Sequence, residues 1–237
     1  MSRWKVFSTL LCTMIITISC GRQDRSSSQL DAYVSEDERN RAFSIIEGID
    51  YIPFTFTQDG CYGRALYMAM ELAIAEIPSS SLYIYGTLRP NPRLAWRFHV
   101  APLLIDRYKQ QTYVLDPTLA TSPVSAEKWL QLVNPSAGYQ THIQDGSTYF
   151  TQVDLKKPQN IIDGFSELNS FRMSDVVSAC QAMHSYLRYD NQGDINKRRE
   201  KLLERTQELI DSLDQLGKLN HDRSVDIKRS CTRSFYF

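Results

Sequence analysis

The chain has 237 residues, 42% of them hydrophobic and 23% charged, with 27 basic and 27 acidic side chains. That size and apolar share suit one globular domain with a sizeable core, and the 13 Tyr and 10 Phe exclude a disordered polymer. The balanced charge leaves no basic stripe for nucleic acid.

Residues 1–20 read as a targeting segment. Arg3 and Lys5 precede an apolar run at 6–18, which is too short to span a bilayer comfortably. The run ends in Thr17-Ile18-Ser19-Cys20-Gly21, which resembles a bacterial lipobox. Cys20 is then the lipidated first residue after cleavage, and the membrane partner is reached through that anchor. The alternatives are a plain secretory signal and a retained anchor. All three place the rest of the chain outside the cytoplasm. Residues 21–34 are polar and serine-rich, as in a flexible tether.

Ser35 with Glu38 matches a capping box, predicting a helix to about Ile46. Ile52-Pro53-Phe54-Thr55-Phe56 is expected to be extended. Asp59-Gly60 stops it, and residues 61–76 carry Ala65, Leu66, Ala69, Leu72 and Ala73 at helical spacing. Strands are predicted at 82–87 and 95–105, the second bulged near Pro102, with a loop over "RPNPR" between them. Gln110-Gln111 turns the chain into a strand at 112–115, which Asp116-Pro117 ends. A short helix follows at 125–133, then loop at 134–147 and a strand at 149–153. The last third is helical: Ser174 caps a helix to about Arg188, and an amphipathic helix spans 195–219. The domain reading is therefore 35–165 for the main domain and 166–237 for a C-terminal helical extension.

Three cysteines fall in the folded region: Cys61, Cys180 and Cys231. Export favours disulfides, and three is odd. Cys180 and Cys231 lie together in the C-terminal third and are the expected pair, leaving Cys61 alone. Cys180 and His184 also have a metal-ligand spacing, but two ligands make no site, so no metal and no cofactor are expected. His142 and His221 sit in polar, loop-like contexts and read as surface residues.

Thiol catalysis needs a thiolate, a base to make it and a group to orient the base. Cys61 begins a helix, where the dipole and free N–H groups favour an anion. His99 lies in the apolar strand "WRFHVAPL" and needs a polar partner there. Asp116, at the end of the neighbouring strand, would sit beside His99 on one face, opposite the helix that carries Cys61. Asp106 is a rival orienter that more naturally faces the turn, and Asp59 reads as a helix cap. Singly, Cys61 is a small core residue, His99 a satisfied core histidine and Asp116 a turn starter. Together, in the order helix-start Cys, strand His and strand-end Asp, they make the triad of a thiol hydrolase a competing reading beside the structural one.

"GCYGRALYMA", "WRFHVAPLL" and "YVLDPTL…PVSAEKW" resemble the three blocks of the protein-glutaminase family, the bacterial protein glutamine deamidases. The resemblance covers about residues 55–130. It implies an α+β fold: a papain- and transglutaminase-like core with an antiparallel sheet packed on the nucleophile helix, plus C-terminal helices. It makes Cys61 the nucleophile, His99 the base and acid, and Asp116 the orienting carboxylate. Arg64 becomes a structural residue, and Trp129 a tryptophan packed near the site. Gly60 stands where the family often has asparagine, which leaves the Cys61 N–H as the oxyanion donor. Gln58 is a second donor by analogy with papain-like enzymes. Tyr62, Tyr67 and Trp96 are candidate walls of a narrow slot. The implied substrates are proteins or peptides bearing glutamine, and the chain is taken as a monomer. The competing classes are a papain-like peptidase or transglutaminase-type acyltransferase, and a non-catalytic envelope lipoprotein that binds with the same fold.

Overall fold

A computed structural model describes residues 33–149 and 170–233, apart from 107, 110, 191 and 192. The targeting segment, Cys20, residues 21–32 of the expected tether, Gln110 and residues 150–153 of the expected last strand lie outside the described residues. The fold is α+β.

The chain enters through a short strand, β1 (Tyr33–Val34), and helix α1 (Glu36–Glu47). The capping box forms: Glu38 N–H donates to Ser35 Oγ at 3.2 Å and Ser35 N–H to Glu38 Oε2 at 2.6 Å. Helix α2 (Cys61–Ile74) follows, then the long hairpin β2 (Ser80–Asn91) and β3 (Leu94–Asp106). Next come β4 (Thr112–Val114), β5 (Val124–Ser125), α3 (Ala126–Val133) and β6 (Gln140–Asp145). The C-terminal part holds β7 (Phe171–Arg172), α4 (Met173–Tyr186), α5 (Ile195–Gln215), β8 (Leu219–Asn220) and α6 (Ile227–Cys231). The main sheet runs β5-β4-β3-β2-β6, antiparallel throughout, with β1 parallel to the end of β3. Tyr33 and Val34, assigned to the tether from sequence, thus pair with Ile105 and Asp106.

Alternation along β3 sends Val100 and Leu104 into a core against α2, and Ala101 and Leu103 into a second core with Trp129 and Val133 of α3. Helix α2 is buried from Cys61 through Ala73. Sheet lies on one side of it and α1, α4 and α5 on the others, so it has no polar face. Its two charged residues are both satisfied. Glu71 accepts from Arg205 at 2.6 and 2.8 Å and from Tyr51 at 2.6 Å. Arg64 donates to the carbonyls of Pro53, Phe56 and Asp59 at 3.2, 2.8 and 3.0 Å.

Several expectations are corrected. Residues 52–56 are bent and not extended, with the Arg64 guanidinium holding the carbonyls of Pro53 and Phe56. "RPNPR" is mostly strand, with β2 running to Asn91 and β3 starting at Leu94. The bulges fall between Tyr85 and Asn91 of β2, not at Pro102, which stays in register opposite Ser81. Pro102 lacks only an N–H, and its carbonyl still accepts from Leu115 at 2.9 Å. Residues 140–145 are the edge strand β6 and not loop; with one aliphatic residue, Ile143, they carry little strand signal. His142 on β6 is consequently buried, and desolvation lowers its pKa. Ser174 is not the cap of α4, which begins one residue earlier; its N–H donates to Asp222 Oδ1 at 2.9 Å. Helix α5 stops at Gln215, where Gly217 adopts φ 65° and turns the chain into β8. His221 is exposed, 2.7 Å from Asp214.

Cys180 of α4 and Cys231 of α6 are disulfide-bonded across 51 residues, and Cys61 is a free, buried thiol. With Cys180 so engaged, its spacing to His184 has no metal-binding meaning. Closing a loop of this length restricts the unfolded chain. Replacing both cysteines with Ala should lower unfolding stability by about 2–4 kcal/mol, read from the urea midpoint at constant slope.

Candidate active site

Strand β3 holds His99, and β4 ends just before Asp116. The Leu115–Pro102 hydrogen bond fixes the two strands so that the side chains meet, with His99 Nε2 2.7 Å from Asp116 Oδ2. Both residues are buried, at 3% and 2% exposure. A buried carboxylate needs donors, and this one has several. Trp129 Nε1–H donates to Oδ2 at 2.8 Å, Thr118 N–H donates to Oδ1 at 3.1 Å, and the Thr118 hydroxyl donates to Oδ1 as well. Burial alone would raise the Asp116 pKa; the His99 charge and these hydrogen bonds bring it down to about 2. For His99, burial pushes downward. The Asp116 charge and hydrogen bond, with a further hydrogen bond to Cys61, raise it to about 9. The imidazole lies between two indoles, with Trp96 at 4.5 Å and Trp129 at 5.6 Å between ring centroids.

Nε2 is engaged by Asp116, and His99 lines the same cleft as Cys61. Cys61 is the first residue of α2 and is 7% exposed. Gly60 caps that helix in the left-handed region at φ 85°, and no side chain bonds the terminal N–H groups. A cleft of about 260 Å³ opens onto the sulfur. Thr57, Gln58 and Asp59 form one wall, and residues 95–99 of β3 form the other.

The structure thus brings Cys61, His99 and Asp116 together, with Gln58 and Trp96 on the same cleft. Trp96 is pinned by its Nε1–H to Thr57 O at 2.8 Å, tying the two walls to each other. Tyr62 packs beside the cleft against Phe98 and Tyr149, at 6.3 and 5.2 Å between centroids. Tyr67 is not a wall. It lies six residues along α2, where its ring is fully buried and its hydroxyl meets Thr206 Oγ1 of α5 at 2.6 Å. Asp106 does not orient His99; it pairs with Arg39 at 2.8 Å and accepts the N–H groups of Tyr108 and Lys109. Asp59 does not cap α2: its Oδ1 accepts from the adjacent Gly60 N–H at 2.6 Å and its Oδ2 from the Tyr186 hydroxyl at 2.6 Å. Sequence reading missed Thr118 and Tyr186. Thr118 was findable as the Asp-x-Thr of an Asx-type turn. Tyr186 had no local signal, since 127 residues separate it from Asp59.

The fold and site together define a papain-like α+β domain whose cleft gathers a thiol, an imidazole and a carboxylate. The family model described as Glutaminase matches residues 35–133, the segment that holds the three sequence blocks. The solution structure of protein-glutaminase from Chryseobacterium proteolyticum is 18% identical, with a TM-score of 0.51, over 70% of this chain and 97% of that one. A crystal structure of protein-glutaminase is 20% identical, with a TM-score of 0.49, over 65% of this chain and 89% of that one. A crystal structure of pro-protein-glutaminase is 20% identical, with a TM-score of 0.48, over 65% of this chain. This chain spans 58% of that pro-form, and half of a mutant pro-form. No curated protein matches the chain.

The electrostatics give a signed expectation. A His99 raised above 6.5 stabilises the fold fully below that pH, and this contribution is lost as pH rises through about 9. An Asp116 lowered from 3.8 contributes above that value, and its contribution is lost as pH falls through about 2. These describe one pair, strongest between the two unperturbed values. Ring ¹⁵N NMR should show His99 protonated to about pH 9. Asp116→Asn should return its titration well below that.

Proposed function

We propose that the chain is an exported cysteine hydrolase that deamidates glutamine side chains of proteins or peptides to glutamate. The observation that carries this is the run Cys61–His99–Asp116, with His99 hydrogen-bonded to Asp116 and sharing a cleft with Cys61, inside the segment that the glutaminase model matches. In this reading Cys61 is the nucleophile, His99 the acid and base, and Asp116 the orienting group. Residues 1–20 are a lipoprotein-type signal, Cys20 carries the anchor, and 21–34 form the tether. Residues 35–165 form the catalytic domain and 166–237 its helical extension.

The chemistry follows from the placement. The Cys61 thiolate attacks the carboxamide carbon, and the oxyanion that forms meets the helix N-terminus, where the Cys61 N–H donates and Gln58 is the second candidate donor. A His99 held as imidazolium at neutral pH has a proton ready for the leaving nitrogen, so the C–N bond breaks and ammonia departs. The now neutral His99 takes a proton from water, which attacks the thioester; the C–S bond breaks, glutamate leaves and the thiolate–imidazolium pair returns. Asp116 keeps the His99 ring oriented throughout. The cleft's small volume suits a side chain and not a folded backbone.

The test is ammonia release from casein, with peptide-bond cleavage followed in parallel. Wild type should release ammonia without cutting the chain. Cys61→Ala and His99→Ala should each lose at least about 10⁴-fold in kcat, with unchanged far-UV circular dichroism. Cleavage in place of ammonia release would make the protein a peptidase. Release that survives in Cys61→Ala would remove Cys61 from the mechanism.

A further inference from the structure

The turn that presents Cys61 is braced from a distant part of the chain. Tyr186, the last residue of α4, lies outside the family-matched segment. Its hydroxyl donates to Asp59 Oδ2 at 2.6 Å and lies 3.5 Å from the Tyr62 hydroxyl. Its ring packs on Phe56 at 4.9 Å between centroids. The same ring covers Gly60, where an added Cβ would fall 2.9 Å from Tyr186 Cδ2. One side chain therefore touches the residues before, at and after the cap of the nucleophile helix.

Asp59 makes that contact chemically pointed. Its carboxylate is two residues from Cys61 and on the same cleft. A carboxylate near a thiolate disfavours it. Among the described residues no cation is hydrogen-bonded to the Asp59 carboxylate; it accepts from one backbone N–H and from Tyr186, and Arg64 acts on it only through space. Arg64 is close, but it donates to the Asp59 carbonyl and not to the side chain. The other titratable groups around the sulfur are Arg64 from its own helix and His99 from the sheet side, with Tyr62, Tyr83, Tyr85 and Tyr149 in the aromatic packing nearby.

We infer that Tyr186 is a positioning residue for Cys61: its hydroxyl holds and partly offsets the Asp59 carboxylate, keeping that charge from opposing the thiolate, while its ring fixes the Gly60 turn. This rests on Cys61 being the nucleophile. The C-terminal helices are then part of the working site, and the Cys180–Cys231 disulfide secures the helix that carries the brace.

Tyr186→Phe isolates the hydroxyl, because the ring and its packing remain. The readout is iodoacetamide alkylation of Cys61 in the full-length chain in detergent, quantified by mass spectrometry of the Cys61 peptide. At pH 6 the variant should alkylate about tenfold more slowly than wild type, the scale of a one-unit electrostatic effect. The gap should narrow as pH rises. Adding Asp59→Asn should restore the rate, since it removes the charge that Tyr186 was holding. An unchanged rate in Tyr186→Phe would overturn the inference. So would a slow variant that Asp59→Asn fails to rescue, because that marks a packing defect alone. A wild-type Cys61 no faster than free cysteine would sink the nucleophile reading and this inference with it.

Discussion

The site depends on one buried contact, the 2.7 Å hydrogen bond between His99 Nε2 and Asp116 Oδ2. Burying a charged pair is expensive unless its remaining donors and acceptors are used. Here they are used by residues that also build the fold. Trp129 donates its indole N–H to Asp116 while filling the second core, so α3 is at once a packing element and a support for the carboxylate. Thr118 completes the other oxygen from the turn that ends β4. Weakening this cluster would loosen α3 and the sheet edge together.

Cys61 is placed by a separate logic. A helix buried on all sides forms a stable unit only when its neighbours are present, and those neighbours come from both ends of the chain. Arg64 draws in the backbone of the 53–59 segment, Glu71 is held by Arg205 of α5, and Met183 of α4 lies so close to Gly63 that a Cβ there would fall 2.7 Å from its methyl. The glycine is what lets α4 approach the first turn of α2.

Much of this was legible in the sequence, and for identifiable reasons. The capping box at Ser35 and the helical spacing after Cys61 are local signals, and each produced its helix within a residue or two. The three candidate site residues stood out because each sits at an element boundary or in an apolar strand, where its chemistry is conspicuous, and the structure brings them together. What escaped was long-range. Strand β6 exists because β2 offers it an edge, and its own residues hardly demand it. The 52–56 segment is bent and not extended, drawn in by a guanidinium from α2. Tyr67 looked like a wall by position, but the rotation of the helix turns it to α5. Tyr186 reaches the cleft only through tertiary packing.

The all-round burial of α2 also bears on the order of events during folding. Its contacts run from α1 to α5, so the helix that carries Cys61 lacks about half of its surroundings until the C-terminal third has docked. Contacts this distant in sequence close late and slowly, and a chain emerging N-terminus first exposes the Cys61 segment well before α4 and α5 exist to cover it. The cleft is consequently assembled near the end of folding, and a chain truncated after β6 would hold all three site residues without the scaffold that aligns them.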